Sequence, residues 1–412
     1  MLYTRRGIVL SITLLTGCAL LSVWSSMEIL NGRSRALLET EKCARIYTSS
    51  RSASVPRIFV YPPVSSGCGT LPSPIAKPLG WERLELFLDR AFEGYEGRVT
   101  NPQQADFFFV PHATTAVYHE SSYNHSTALC HIKAVLDHVA KFPFAQRSAW
   151  IDHIVPWAHD NFQNNVGDKE LLPLDFRKNA IFIVNQGDDA AFVPADASLR
   201  VQDFDIRTSI ITLPPSWDAT EEWARQGRVR PLWHERKYLA VFRGSLLENP
   251  NYSNGVRQAL AEQFQLVRQN DIIFENHAET YADEMRESKF CLFIKGWTVW
   301  SERLGTIINA GCIPVIISDH YALPFWQNLD WSTFSLRMSQ RDAIIPGALR
   351  AYLHNVSQSR ALELEAELIR IRPTLLYNLP PQRGDIFTRI LDELSQRLPA
   401  IRPVSGVTSF GQ

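Results

Sequence analysis

The sequence predicts an α/β protein with two parallel-sheet domains, preceded by a single transmembrane helix. Three observations carry that expectation. Short apolar runs alternate with amphipathic stretches in both halves of the chain, the pattern of strand–helix–strand units with parallel strands. A polar stretch holding Gly227 and Pro231 separates the halves. Residues 7–24 form an uncharged run of eighteen, about 27 Å long as a helix and close to a thin bilayer core.

Arg5 and Arg6 precede that run, which places residues 1–6 in the cytosol and everything after 24 across the membrane. A cleaved signal peptide is the alternative. The run is longer than a usual signal core and no small-x-small cleavage site follows, so an uncleaved anchor is expected. Residues 25–55, rich in Ser, Arg and Glu, read as a stem.

The first domain is expected over 56–216. RIFVY (57–61) is a strand stopped by Pro62 and Pro63. Leu84, Phe87, Leu88 and Ala91 give 81–95 the spacing of an amphipathic helix. ADFFFVP (105–111) reads as a buried strand, 129–142 as a helix, and 180–187 and 209–215 as further strands. Residues 217–236 are the expected hinge. The second domain, 237–398, has strands at 238–245, 271–274, 289–294 and 312–318, with helices at 255–264, 280–288 and 301–310. Helices at 363–372 and 385–397 follow, and 399–412 is a tail.

Composition narrows the function. Apolar residues make up 45% and charged residues 21% of the chain, which suits a globular body rather than a disordered one. A net charge of −1 without a long basic block argues against a nucleic-acid partner. Sequons at Asn124, Asn251 and Asn355 fit the secretory pathway as glycosylation sites, although such triplets also arise by chance. Cys18 falls in the anchor, leaving Cys43, Cys68, Cys130, Cys291 and Cys312, an odd number.

The run SKFCLFIKGWTVWSERLGTIINAGCIPVIISD (288–319) concentrates the chemistry. A buried strand ends at Ile294 and opens into Lys295 and Gly296, and ligands of open α/β sheets bind at such carboxyl ends. Trp297 and Trp300 occupy the loop. Ser301 is placed to cap a helix with Glu302 and Arg303 in its first turn, a seat for an anion with Arg303 as a bidentate fork. Singly, each residue has a plain structural explanation: a solvated lysine, packed tryptophans, an ordinary cap. Together they point to an anion site.

The run FCLFIKG through SERLGTIINAGCIPVIISDHYALPFWQNLDW (290–331) resembles the signature of the exostosin family of glycosyltransferases. RIFVY, TNPQQADFFFVP (100–111), WIDHIVPWAHDN (150–161), SIITLPP and KYLAVFRGS (237–245) resemble the family's other segments in order. The resemblance implies a GT-B fold of two Rossmann-like domains facing a cleft. It also implies transfer of a sugar from a nucleotide donor, usually UDP-linked, to a glycan acceptor, with inversion and without a metal or other cofactor. Carried onto this chain, it has Arg303 and Ser301 bind the diphosphate, with Arg243 and Gly244 at the neighbouring strand end; Lys295, Gly296, Trp300 and Glu302, read from the anion seat itself, complete the expected donor site. It further implies a Cys291–Cys312 disulfide and allows a homo- or hetero-dimer; with the anchor read above, the expected setting is the Golgi membrane, type II, with the body in the lumen. One departure stands out: relatives carry Glu three residues after the arginine, as a ribose ligand, where this chain has Thr306.

An inverting transfer needs a base for the acceptor hydroxyl. Seven of the eleven histidines lie between His112 and His159, in the half expected to hold the acceptor, and Asp160 or His159 is the expected base. Two rivals remain. Asp203-Phe204-Asp205 is a D-x-D triplet of the metal-dependent transferase type, though it does not end an apolar strand. A non-catalytic scaffold that keeps the fold is the other, favoured by Thr306 and disfavoured by the intact anion seat.

Overall fold

Unbroken apolar triplets and quartets form three of the five strands of the first sheet, since strands buried on both faces have no use for alternation. The computed structural model describes residues 55–68, 83–158, 173–185, 187, 210–214, 230–266 and 271–405. Strands β1 (Ile58–Val60), β2 (Phe107–Phe109), β3 (His153–Trp157), β4 (Ile181–Val184) and β5 (Ile210–Thr212) pair in that order, all parallel. Helix α1 (Arg83–Glu93) covers one face through Leu84, Phe87, Leu88 and Phe92. Helix α2 (Thr114–Glu120) follows β2. Helix α3 (His125–Val139) covers the other face through Ile132, Val135, Leu136 and Val139. The side chain of Asn124 starts α3 by accepting from the Thr127 N–H at 3.2 Å, four residues earlier than periodicity alone places it.

β3 is not marked as a strand by its sequence pattern. Pro156 sits within it, and proline normally argues against a central strand. Here it lies beyond the last β2 pairing, Phe109 with Ile154, and faces only Ile183 of β4 in the register.

The second sheet holds β6 (Tyr238–Arg243), β7 (Ile272–Glu275), β8 (Ser288–Ile294), β9 (Ile313–Ile317) and the two-residue β10 (Leu336–Arg337). They pair in parallel in the order β10-β9-β8-β6-β7. Helices α4 (Val256–Leu266), α5 (Tyr281–Glu287) and α6 (Arg303–Asn309) connect them. Counted within this sheet the order is 2-1-3-4-5, so the winding reverses between β6 and β8. That reversal opens a crevice above the carboxyl ends of the two strands. The first sheet runs β1 to β5 without a reversal, unlike the Rossmann order.

Helix α7 (Gln358–Ile371) packs on the second sheet through Leu364. Its buried Glu365 accepts from Arg230 at 2.7 Å and from Arg236 at 2.7 and 2.9 Å, and Arg230 also donates to the Gly311 carbonyl at 2.9 Å. The segment entering β6 is thereby clamped. The final helix, α8 (Ile386–Ser405), returns to the first sheet, with Phe387 edge-on to Phe92 at 5.0 Å. One hydrophobic cluster therefore runs from Ile58 and Phe107 through Phe387 to Cys291 and Phe293. No helix among the described residues is long and apolar enough to cross a membrane; the expected anchor, 7–24, lies outside them, as does the stem.

Two disulfides cross-link this body. Cys291 in β8 joins Cys312, one residue before β9, with Cα atoms 5.8 Å apart. Cys68 joins Cys130 of α3, also at 5.8 Å, a pairing that the sequence left open.

Candidate donor site at the β6–β8 crevice

The crevice is lined by two arginines that share one ring. Arg303 opens α6 and is 6% exposed. Its guanidinium lies 4.3 Å from the centroid of Phe242, and its Nε donates to the Arg243 carbonyl at 2.8 Å, with Nη2 donating to the same oxygen. Arg257, in the first turn of α4, is 2% exposed and lies 5.0 Å from the same ring. It donates to the Ile294 carbonyl at 2.7 Å, the Ser245 carbonyl at 3.1 Å and the Tyr252 hydroxyl at 2.5 Å. Each guanidinium thus grips the last carbonyl of one strand at the reversal. Among the described residues neither forms an ion pair with a carboxylate. Two such buried charges favour an anion between them. Burial, then the charge of Arg303, pushes Arg257 down to about 9, so it stays charged at neutral pH. Burial, then the charges of both arginines, lowers His277 as well.

The surrounding residues set this geometry. Gly244 follows β6, and a Cβ there would fall 1.8 Å from Nη2 of Arg303; its place calls for glycine because the guanidinium crosses it. Arg243 points elsewhere. Its guanidinium is held by Glu284 at 2.7 and 2.8 Å and by Glu275 at 2.6 Å, so only its carbonyl reaches the crevice residues. Lys295 is buried at the end of β8. The Gly296 carbonyl accepts from the Ser253 N–H at 3.0 Å, and a Cβ on Gly296 would meet Arg257 only at an ordinary 3.6 Å.

The two loop tryptophans divide. Trp300 is buried in the shared core, whereas Trp297 is 52% exposed at the rim, edge-on to Tyr252 at 5.0 Å. Ser301 does not cap α6. The residue before the helix is Glu302, already in helical conformation and without a side-chain cap bond, while the Ser301 hydroxyl makes two long contacts to Arg303, at 3.4 and 3.5 Å. A helix starting at Ser301 was expected from its residue type. The local backbone instead turns before helical hydrogen bonding begins, and α6 spans 303–309. Thr306 is buried within it.

Across the molecule, the carboxyl ends of the first sheet hold a buried carboxylate. Glu85, 1% exposed on α1, accepts from the Thr115 N–H at 3.0 Å, the Thr115 hydroxyl at 2.5 Å and the Ala158 N–H at 3.3 Å. His112 Nδ1 lies 3.8 Å from it, and burial pushes that imidazole down to about 3. His153 belongs to the core, between Asp152 at 2.7 Å and the Tyr61 hydroxyl at 2.9 Å. His159 and Asp160, the expected base, lie outside the described residues, as do Asp203 and Asp205. Asn124, Asn251 and Asn355 are all exposed.

The sequence marks Arg303, Gly244, Lys295 and Gly296 at this crevice; it does not mark Arg257 and Tyr252 there, nor Glu85 at the first sheet. Arg257 was detectable in principle: it opens the helix after β6, as Arg303 opens the helix after β8.

Residues 52–353 match the family model of the Exostosin GT47 domain. The chain belongs to the exostosin family. Its curated relatives within this glycosyltransferase family include two probable glucuronoxylan glucuronosyltransferases of Arabidopsis thaliana. One is 27% identical over 76% of this chain and 67% of its own length; the other is 27% identical over 76% and 70%. A probable glucuronosyltransferase of Oryza sativa subsp. japonica is 29% identical over 75% and 72%. Among solved structures, Anabaena Alr3699/HepE in complex with UDP-glucose aligns at 12% identity and TM-score 0.36 over 83% of this exostosin-family chain and 99% of its own.

Proposed function

We infer that this glycosyltransferase moves a sugar from a UDP-linked donor to a glycan acceptor, with inversion and without a metal ion, on a GT-B scaffold. One observation carries the donor assignment. Arg303 and Arg257 place two buried positive charges, neither met by a carboxylate among the described residues, at the strand-order reversal. A diphosphate would be held there and its leaving charge stabilised. Guanidinium pairs can supply the neutralisation that a divalent ion supplies in other transferases. Trp297 at the rim offers a ring face for the base. The relatives' names put UDP-glucuronate first among donors to test.

In this reading Asp160 or His159 removes the acceptor proton, two and one residues past Ala158, whose N–H is held by Glu85. Residues 7–24 anchor the chain in the Golgi membrane with the body in the lumen. The two disulfides support an oxidising compartment. Protection of the body from protease in sealed vesicles tests that orientation, and complete digestion would refute it.

The deciding experiment is a screen of UDP-sugars for transfer and hydrolysis by the full chain, with and without EDTA. Turnover of one donor, insensitive to EDTA and abolished by Arg303→Ala, supports the reading. Unchanged turnover in that variant refutes the site. Thr306 favours a second reading, a scaffold that binds UDP without turnover; the same screen paired with calorimetry separates the two.

A further inference from the structure

A second concavity lies where the chain leaves β9 and crosses towards the first sheet. The Tyr321 hydroxyl donates to the Asn185 carbonyl at 3.3 Å and the Ala322 N–H to the Gly187 carbonyl at 2.8 Å, both just past β4. Between this crossing and β10 is a cavity of about 960 Å³, a volume in the range of small-molecule sites.

Its wall is rigid. Leu323, Phe325, Leu329 and Trp331 are buried beneath it, and the Trp331 indole N–H donates to the Pro324 carbonyl at 2.7 Å. His320 and Phe325 hold positive φ angles, 62° and 52°, conformations that non-glycine residues adopt only where the surroundings enforce them. The exposed lining is Trp326, Gln327, Asn328, Asp330, Ser332 and Arg337. Trp326 is 40% exposed, and the Arg337 guanidinium has no ion-pair partner among the described residues.

That lining selects an occupant. A protein hot spot needs a desolvated apolar centre, and here one exposed indole stands among two amides, the Asp319 and Asp330 carboxylates, the His320 imidazole, a hydroxyl and a guanidinium. A nucleotide would be held by paired cations, as at the β6–β8 crevice, and only one is present. A sugar ring matches. Its apolar C–H face can lie on the indole, while its hydroxyls meet the amide and carboxylate oxygens and the guanidinium around the rim, where Asn328 already donates to Glu393 and the Ser332 hydroxyl to Asp330. The position beside the carboxyl ends of both sheets suits the part of a glycan extending away from the reacting residue. We propose that this cavity binds an oligosaccharide, the portion of the acceptor remote from the sugar being extended. The proposal rests on the transferase reading for its role, but the binding itself does not.

The test probes the full-length chain on a glycan microarray of plant, microbial and animal oligosaccharides, with UDP affinity measured in parallel by calorimetry. Wild type is expected to retain at least one oligosaccharide of four or more sugars. Trp326→Ala and Arg337→Ala, both exposed and outside the donor crevice, should weaken that binding at least tenfold and leave UDP affinity unchanged. No binding to any glycan overturns the proposal. So does binding that both variants keep in full. Failure to bind UDP overturns the donor assignment instead, and the glycan result still decides the cavity.

Discussion

Arg303 reaches across Gly244 so closely that a Cβ at position 244 would overlap its guanidinium, 1.8 Å from Nη2 and 2.9 Å from Cζ. The φ angle of Gly244 is not in the left-handed region, so the glycine serves space rather than backbone conformation. Gly244→Ala should therefore displace Arg303 without disturbing β6. UDP affinity is expected to fall at least tenfold, about 1.4 kcal/mol, with an unchanged far-UV spectrum. Calorimetry showing wild-type affinity would contradict the arrangement.

Arg257 should matter as much as Arg303. Arg257→Lys keeps a charge but cannot hold the Ile294 and Ser245 carbonyls together. Donor affinity is expected to drop roughly ten- to hundredfold, about 1.4–2.8 kcal/mol, and titration with UDP reads it directly. A lysine variant with full affinity would show that charge alone suffices.

The two tryptophans should separate by assay. Trp297→Ala should lower UDP affinity and leave the denaturation midpoint in place, because the ring is at the rim. Trp300→Ala removes a buried ring and is expected to cost about 3–5 kcal/mol of stability, read by chemical denaturation. The reverse pattern would exchange their roles.

Stability should fall on acidification through His112. Its folded pKa is about 3, below the unfolded value of about 6.5, so the unfolded chain binds the proton first. The contribution is complete above about 6.5 and declines towards 3. Between pH 6.5 and 5 the loss should reach about 2 kcal/mol. His112→Asn should narrow the stability gap between pH 7.5 and 5.0, as denaturant titration at both values would show. An equal gap in wild type and variant would assign the acid sensitivity elsewhere.

Glu365→Ala is the control for structure without donor chemistry. It strands Arg230 and Arg236, both buried, and breaking such a pair costs about 3–5 kcal/mol. UDP affinity, measured well below the unfolding temperature, should remain.

Much of this was legible in the residues, for physical reasons. β8 and β9 are unbroken apolar runs ending in polar or small residues, so their burial and their ends are written locally. β3 was not legible, because His153 and Pro156 interrupt its pattern and are accommodated only by Asp152, Tyr61 and the end of β2. β10, with two residues, exists only through pairing with β9. In the crevice, Arg303 was marked by its place after an apolar strand. Arg257 also opens a helix after an apolar strand, but a longer loop separates it from β6, and only the end of β8, 37 residues away, shows what it holds. Nor does sequence separate Trp297 from Trp300, since only the tertiary path decides which ring turns inwards.

The strand order of the first sheet, β1 to β5 in sequence, has a consequence for how such a protein can change. A sheet that reverses dictates where its ligand sits, and altering that position means rewiring the fold. A sheet that never reverses dictates nothing; whatever is held above it is held by the segments that follow its strands. Those segments can be exchanged without touching any interstrand hydrogen bond. Under the proposed reading, one half of the molecule keeps a fixed currency, the nucleotide, while the other can be retargeted to new glycans by swapping loops.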